Sequence, residues 1–103
     1  MKYQRTPAFA ADWRALTQDE RDLFRRCVLE EFVPACDRVA ADPAARFPAR
    51  LRFKAVEGAP GVFEMTWSFA GPDGRATFEW VIVDGERAVR WRRVGGHGIF
   101  RTP

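Results

Sequence analysis

The sequence predicts an α+β fold: two N-terminal helices packed on a small antiparallel sheet, made of a short edge strand plus a four-strand meander. Three observations predict it. Apolar residues recur with a helical period up to Ala41, the period becomes two from Pro48 onward, and Gly, Pro and Asp clusters cut the second half into hairpin-sized pieces. At 103 residues and 47% hydrophobic, the chain suits one domain over residues 1–103 and is too apolar for a disordered segment.

Each element follows in order. Lys2 to Thr6 is short and polar and suits an edge strand, stopped by Pro7. Ala8 to Leu16 reads as a helix, with Phe9, Trp13 and Leu16 on one face. Thr17-Gln18-Asp19-Glu20 is a capping box for a longer helix, whose stripe is Leu23, Phe24, Cys27, Val28, Glu31 and Phe32. Pro34 must kink or restart that helix, and Asp42-Pro43 ends it. Arg50 to Lys54 then alternates, three cations on one face and Leu51 and Phe53 on the other. After a turn at Gly58-Ala59-Pro60-Gly61, Phe63, Met65, Trp67 and Phe69 should face the core, opposite Glu64, Thr66 and Ser68. A turn at Gly71-Pro72-Asp73-Gly74 leads to Ala76–Val83, with Phe78, Trp80 and Ile82 inward. Asp84-Gly85-Glu86 is the last tight turn, and Val89 and Trp91 face the core beyond it. Val94 to Phe100 is a glycine-rich exit from the sheet.

Composition excludes several classes. No stretch approaches the roughly 18 apolar residues of a membrane helix, and the start of the chain lacks the apolar core of a secretory signal, so a cytoplasmic address is expected. Cys27 and Cys36 lie on one helical region without a second ligand at metal spacing, which suits small buried residues rather than a disulfide or zinc site. The charge is uneven. Residues 1–48 hold eight basic and eight acidic side chains, whereas 49–103 hold nine and six, the whole of the net +3. Arg87 to Arg101 carries five arginines and no acid, a surface suited to a polyanion or an acidic protein.

The polar face of the sheet collects Arg50, Arg52, Lys54, Glu64, Thr66, Arg75, Glu79, Arg90 and Arg92, with His97 just beyond. Arginine grips phosphate bidentately, lysine is a point charge, and histidine moves protons near neutral pH. Such a group suits RNA and the charge of a phosphorus centre during cleavage. The plain alternative, weightier on pattern alone, is a solvated face whose mixed charges pair across strands, Glu64 or Glu79 with Arg50 or Arg90.

The order of elements and several strings resemble the RelE/ParE family of toxins from bacterial toxin–antitoxin modules, over nearly the whole chain. Thr6-Pro7-Ala8-Phe9 opens a helix ending in Trp13-Arg14-Ala15-Leu16. Leu51-Arg52-Phe53-Lys54 through Gly58 is similar to the family's L–K–L–G strand and turn, and Gly61-Val62-Phe63-Glu64-Met65 to its G-hydrophobic-aromatic-E-L strand. Gly74-Arg75-Ala76-Thr77-Phe78 sits where members carry Y-R-hydrophobic, and Arg93-Val94-Gly95-Gly96-His97-Gly98-Ile99-Phe100 resembles the closing R-I-G-T-H-D-hydrophobic-Y.

The resemblance, nearest to the RelE, HigB and YoeB branch, implies a RelE-like toxin fold and an endoribonuclease that cuts mRNA in the ribosomal A site. The 2′-hydroxyl attacks the adjacent phosphorus, without a metal or other cofactor, and translation stops. The catalytic positions carried over are Lys54 for proton transfer, Arg75 for the phosphorane charge and His97 as general acid. Arg50, Arg52, Arg90, Arg92 and Arg93 would hold RNA, with Phe100 stacking on a base. The implied partners are mRNA, the ribosome and a cognate acidic antitoxin. Departures are Phe100 where many members have Tyr, Thr66 where a string supplies Arg, and no C-terminal extension past Pro103. Two other readings are a ParE-like gyrase inhibitor, a branch that typically lacks the histidine found here at 97, and a RelE-fold binding protein without catalysis.

Overall fold

Thr6 starts the first helix: its hydroxyl accepts from the Phe9 N–H at 3.1 Å, and Pro7 occupies the first turn of α1 (Pro7–Ala15), where a missing donor costs nothing. The computed structural model describes residues 1–68 and 74–103, apart from the side chain of His97. The expected turn at Gly71-Pro72-Asp73 and the inward placement of Phe69 lie outside the described residues. The Thr17 capping box forms as its sequence predicts, with the hydroxyl accepting from Glu20 N–H at 3.1 Å and the Glu20 carboxylate from Thr17 N–H at 2.8 Å.

α2 (Gln18–Cys27) runs without a break into a single π turn at Val28–Phe32 and then α3 (Val33–Ala41). In the wide turn the Val33 N–H reaches back five residues to the Val28 carbonyl. That extra residue lets the Pro34 ring enter the next turn, so the proline restarts the helix rather than ending it. Phe24, Cys27 and Phe32 carry the buried side of this rod. Among the described residues no helix is long and apolar enough to cross a membrane.

The sheet has the order β1-β5-β4-β3-β2, with β1 at Tyr3–Arg5, β2 at Lys54–Ala55, β3 at Val62–Ser68, β4 at Gly74–Val83 and β5 at Glu86–Gly95. The meander β2 to β5 is antiparallel as expected, but the edge strand β1 pairs in parallel with β5. Asp84 and Gly85, at φ 52° and 77°, make the primed turn that an Asp-Gly hairpin favours.

The inner face carries the core, where Phe32, Phe78 and Trp91 meet at ring separations of 5.1 to 5.4 Å. Phe24 sets its edge against Trp67 and Trp91, a geometry that adds quadrupole attraction to area burial. Cys27 and Cys36 are buried free thiols, and burial pushes both up to about 12.

Three expectations are corrected. Arg50 to Lys54 is not one strand: Pro48 starts a 3-10 turn at Ala49–Leu51, Arg52 turns left-handed at φ 47° and ψ 42°, and pairing begins only at Lys54. Leu51 is fully buried, and burying it takes the turn, which also separates Arg50 and Arg52 from the sheet face. Ile82 is 70% exposed rather than inward. Finally, the outer face is not simply solvated, because Glu64, Thr66, Arg75 and Thr77 are all buried there.

Candidate functional site

Strand register brings the buried polar residues together. Lys54 pairs with Glu64, Glu64 with Thr77, and Thr66 with Arg75, all neighbours on the outer face of β2, β3 and β4. Directly opposed side chains on one face lie close enough to interact. The Arg75 Nη1 donates to the Thr66 hydroxyl at 2.7 Å and lies 3.7 Å from the Glu64 carboxylate. The same carboxylate oxygen lies 3.8 Å from Lys54 Nζ. Among the described residues the Glu64 carboxylate thus faces two cations.

Exposure divides the roles. The Arg75 side chain is 8% exposed and Glu64 10%, whereas Lys54 is 67% exposed. The buried guanidinium is met at Nη1 by the Thr66 hydroxyl and the Glu64 carboxylate. Lys54 is the water-facing member. Gly74 and Trp67 fix the strand beneath: a Cβ on Gly74 would lie 2.6 Å from the Trp67 ring, and the Trp67 Nε1 donates to the Arg75 carbonyl at 2.8 Å. The indole covers the glycine and sets where Arg75 projects.

Past β5, residues His97–Arg101 form a 3-10 turn against β4 and β5, with Ile99 buried near Gly95. His97 starts that turn through its backbone; its side chain lies outside the described residues. Phe100 is half-buried in the same turn.

The other expected RNA-binding arginines go elsewhere. Arg90 pairs with Glu79 at 2.8 Å and donates to the Gln4 side chain at 3.1 Å; Arg92 shares Glu79 at 3.3 Å. Arg92 is the extra residue of a bulge, since Thr77 pairs with Arg93 while Phe78 pairs with Trp91. Arg93 makes a two-pronged contact with Asp12 of α1, at 2.6 and 3.1 Å, and Asp12 also accepts the Val94 N–H. That hydrogen-bonded partner raises the Arg93 guanidinium above its ordinary value. Arg50 reaches Glu31 in the π turn at 2.6 Å, and Arg52 is exposed in its left-handed turn.

The Glu79–Arg90 pair is the cross-strand pairing that alternation anticipates. Glu64, which that argument matches to Arg50 or Arg90, instead serves Lys54 and Arg75. Asp12 is a residue that sequence reasoning missed entirely, because nothing local connects it to a partner 81 positions away. Among the described residues no three His, Cys, Asp or Glu side chains converge on a point that a metal ion would occupy.

No family profile matches the chain, and no curated protein does. Two solved structures match. A chain of the intact E. coli RelBE toxin–antitoxin complex aligns at TM-score 0.53 and 17% identity, covering 91% of this chain and 93% of that one. A double arginine-to-alanine mutant of E. coli toxin RelE in the free state aligns at TM-score 0.53 and 17% identity, covering 91% of this chain and 80% of that one. Helices on one face, a mixed five-strand sheet and these alignments over nine-tenths of the chain agree: the protein has the RelE fold.

Proposed function

We propose that this protein is the toxin of a toxin–antitoxin pair, a single toxin domain that stops translation by cutting mRNA in the ribosomal A site. The observation that carries the reading is the Lys54–Glu64–Arg75 cluster, two cations about one buried carboxylate on the outer sheet face of a RelE fold.

The chemistry needs three tasks. The 2′-oxygen loses its proton and bonds to phosphorus, negative charge builds on the phosphorane oxygens, and the bond to the 5′-oxygen breaks as that oxygen gains a proton. The products are a cyclic phosphate and a 5′-hydroxyl. Lys54, exposed to water, serves proton transfer at the 2′-oxygen. Arg75, held by Thr66 and Glu64, offers a fixed donor to the developing charge without reorganising, the condition under which such donors contribute most. His97, at the start of the turn beyond β5, is the general acid for the leaving oxygen. Because one of the similar structures is a toxin–antitoxin complex, an acidic antitoxin is the partner proposed, drawn by the excess of cations in residues 49–103.

Adding the purified protein to translating ribosomes and mapping mRNA ends tests the reading. Discrete cuts are expected with the wild type and few with Arg75→Ala combined with His97→Ala; intact message at excess protein would refute nuclease function.

A further inference from the structure

The helices leave part of the inner sheet face uncovered at the β1 edge. In register with β5, Tyr3 lies beside Val89 and Arg5 beside Trp91. Strand alternation therefore turns the Tyr3 and Arg5 side chains to the helix side, with those two core residues. Val89 and Trp91 are buried, whereas Tyr3 and Arg5 stay exposed. A cleft of about 350 Å³ opens there. Its floor includes Phe9, Val89 and Trp91; β1 forms one wall, and the rod of α2 and the π turn forms the other through Val28 and Leu29.

Three observations single this cleft out. Four large apolar side chains stay exposed among the described residues, and Met1, Tyr3 and Leu29 all line it, with Ile82 elsewhere. Exposed apolar residues are otherwise scattered singly, so such a concentration marks an interaction surface. Next, a knob stands beside the hole. Leu29, 69% exposed in the π turn, sits at the rim of a cavity of side-chain size. A two-fold contact requires this self-complementarity, because both copies present the same patch and each residue i meets j while j meets i.

Charge alternates around the mouth as well. Arg5 stands on β1, Arg25 lies 3.7 Å from Asp22, and the exposed Glu30 follows Leu29. Two cations and two acids cancel, and residues 1–48 as a whole are neutral. Such a rim exerts no net pull on a strongly acidic chain, which Glu30 would repel. A second copy related by a two-fold axis instead sets Arg5 of each against Glu30 of the other. The edge adds backbone groups. The bonds from β1 to β5 use the Lys2 carbonyl and the Thr6 N–H, so by alternation the N–H and C=O groups of Tyr3 and Arg5 point away from the sheet.

We propose that two copies of this chain pair through this cleft, Leu29 of each entering the cleft of the other and Arg5 of each meeting Glu30 across the axis. The Lys54–Arg75 cluster lies on the opposite face of the sheet, so pairing leaves it open and does not rest on the nuclease reading.

Sedimentation equilibrium of the purified chain over a wide concentration range tests the pairing. Twice the 11.8 kDa of one chain is expected at high concentration. Leu29→Glu should raise the dissociation constant by about thirtyfold or more, the effect of losing a central anchor. Ile82→Glu, the same kind of change at an exposed apolar side chain outside the cleft, should leave it unaltered. Both positions are exposed, and circular dichroism checks that each variant keeps the fold. Arg5→Glu and Glu30→Arg should each weaken pairing, and the two combined should restore it, because the opposite charges then meet with their places exchanged. A mass of one chain at every concentration would overturn the pairing. Equal losses from Leu29→Glu and Ile82→Glu, or a combined swap that pairs no better than either single change, would do the same. So would a monomer that binds polyglutamate through Arg5, which would make the occupant an acidic protein.

Discussion

The two sides of the sheet's outer face use the same residue types and reach opposite ends. On the β2–β4 side, Lys54 and Arg75 share the Glu64 carboxylate, and Lys54 reaches into water. On the β5 side, Arg90 and Arg92 share Glu79 while Arg93 is gripped by Asp12, and all three are partly buried. A count of charges makes the β5 side the more basic. The pairing makes it structural: its arginines tie β5 to β1, β4 and α1. What separates a binding surface from a brace is how much charge is left after local partners are subtracted, a quantity that depends on register and on helix placement.

That contrast can be broken at several points. The largest expected effect is on cleavage. Arg75→Ala should lower the rate of mRNA cutting by about 10²–10³, the loss typical for one preorganised donor at a developing oxyanion, read as appearance of cut ends over time on ribosomes. Next is stability on the other side. Asp12→Ala strands the partly buried Arg93 and the Val94 N–H, and should cost about 2–4 kcal/mol, measured by urea unfolding. Arg90→Gln with Arg92→Gln removes more exposed pairs and should cost about 1 kcal/mol or less, with cleavage kept.

Arg52→Gly should move in the opposite direction. Glycine relieves the left-handed backbone, worth about 1–2 kcal/mol, against about 0.5–1 kcal/mol of added chain entropy. Stability should hold or rise slightly in thermal unfolding while RNA binding falls. A variant that binds RNA less well without becoming less stable would mark Arg52 as functional rather than structural.

The smallest effect concerns the thiols. Burial raises Cys27 and Cys36 from 9.0 to about 12. The folded protein therefore keeps protons that the unfolded chain gives up above pH 9. Stability should be level below that pH and fall as pH rises from about 9 toward 12, and Cys27→Ala/Cys36→Ala should flatten the decline in urea midpoints.

Much of the fold was legible because it is written in local signals. The Thr17 capping box, the Asp84-Gly85 turn, the inward Val89 and Trp91 and the edge strand stopped by Pro7 each follow from a few adjacent residues. Arg50 to Lys54 misled because a 3-10 turn and one left-handed residue reproduce, in five positions, the alternation of a strand. The bulge at Arg92 escaped because one inserted residue leaves no mark on composition. Pro34 announced a disturbance but not its form, since a π turn and a kink satisfy the same missing donor.

The site was legible in part. Lys54, Glu64, Thr66 and Arg75 fall on one face by alternation, and the register keeps them there. The burial of Glu64, Thr66 and Arg75 was not legible, since the turn of residues 97–101 packs on β4 and β5, with Ile99 against Gly95, the register partner of Arg75. Nor was the capture of Arg93 by Asp12, which depends on where α1 crosses β5.

The most direct test of the account compares the two sides in one experiment. Message ends are mapped on translating ribosomes for the wild type, Arg75→Ala, and Arg90→Gln/Arg92→Gln, at protein concentrations matched for folded fraction. Cuts should be strong in the wild type and the β5 pair and nearly absent in Arg75→Ala. Cutting that survives Arg75→Ala and disappears with the β5 pair would contradict the assignment of the two sides.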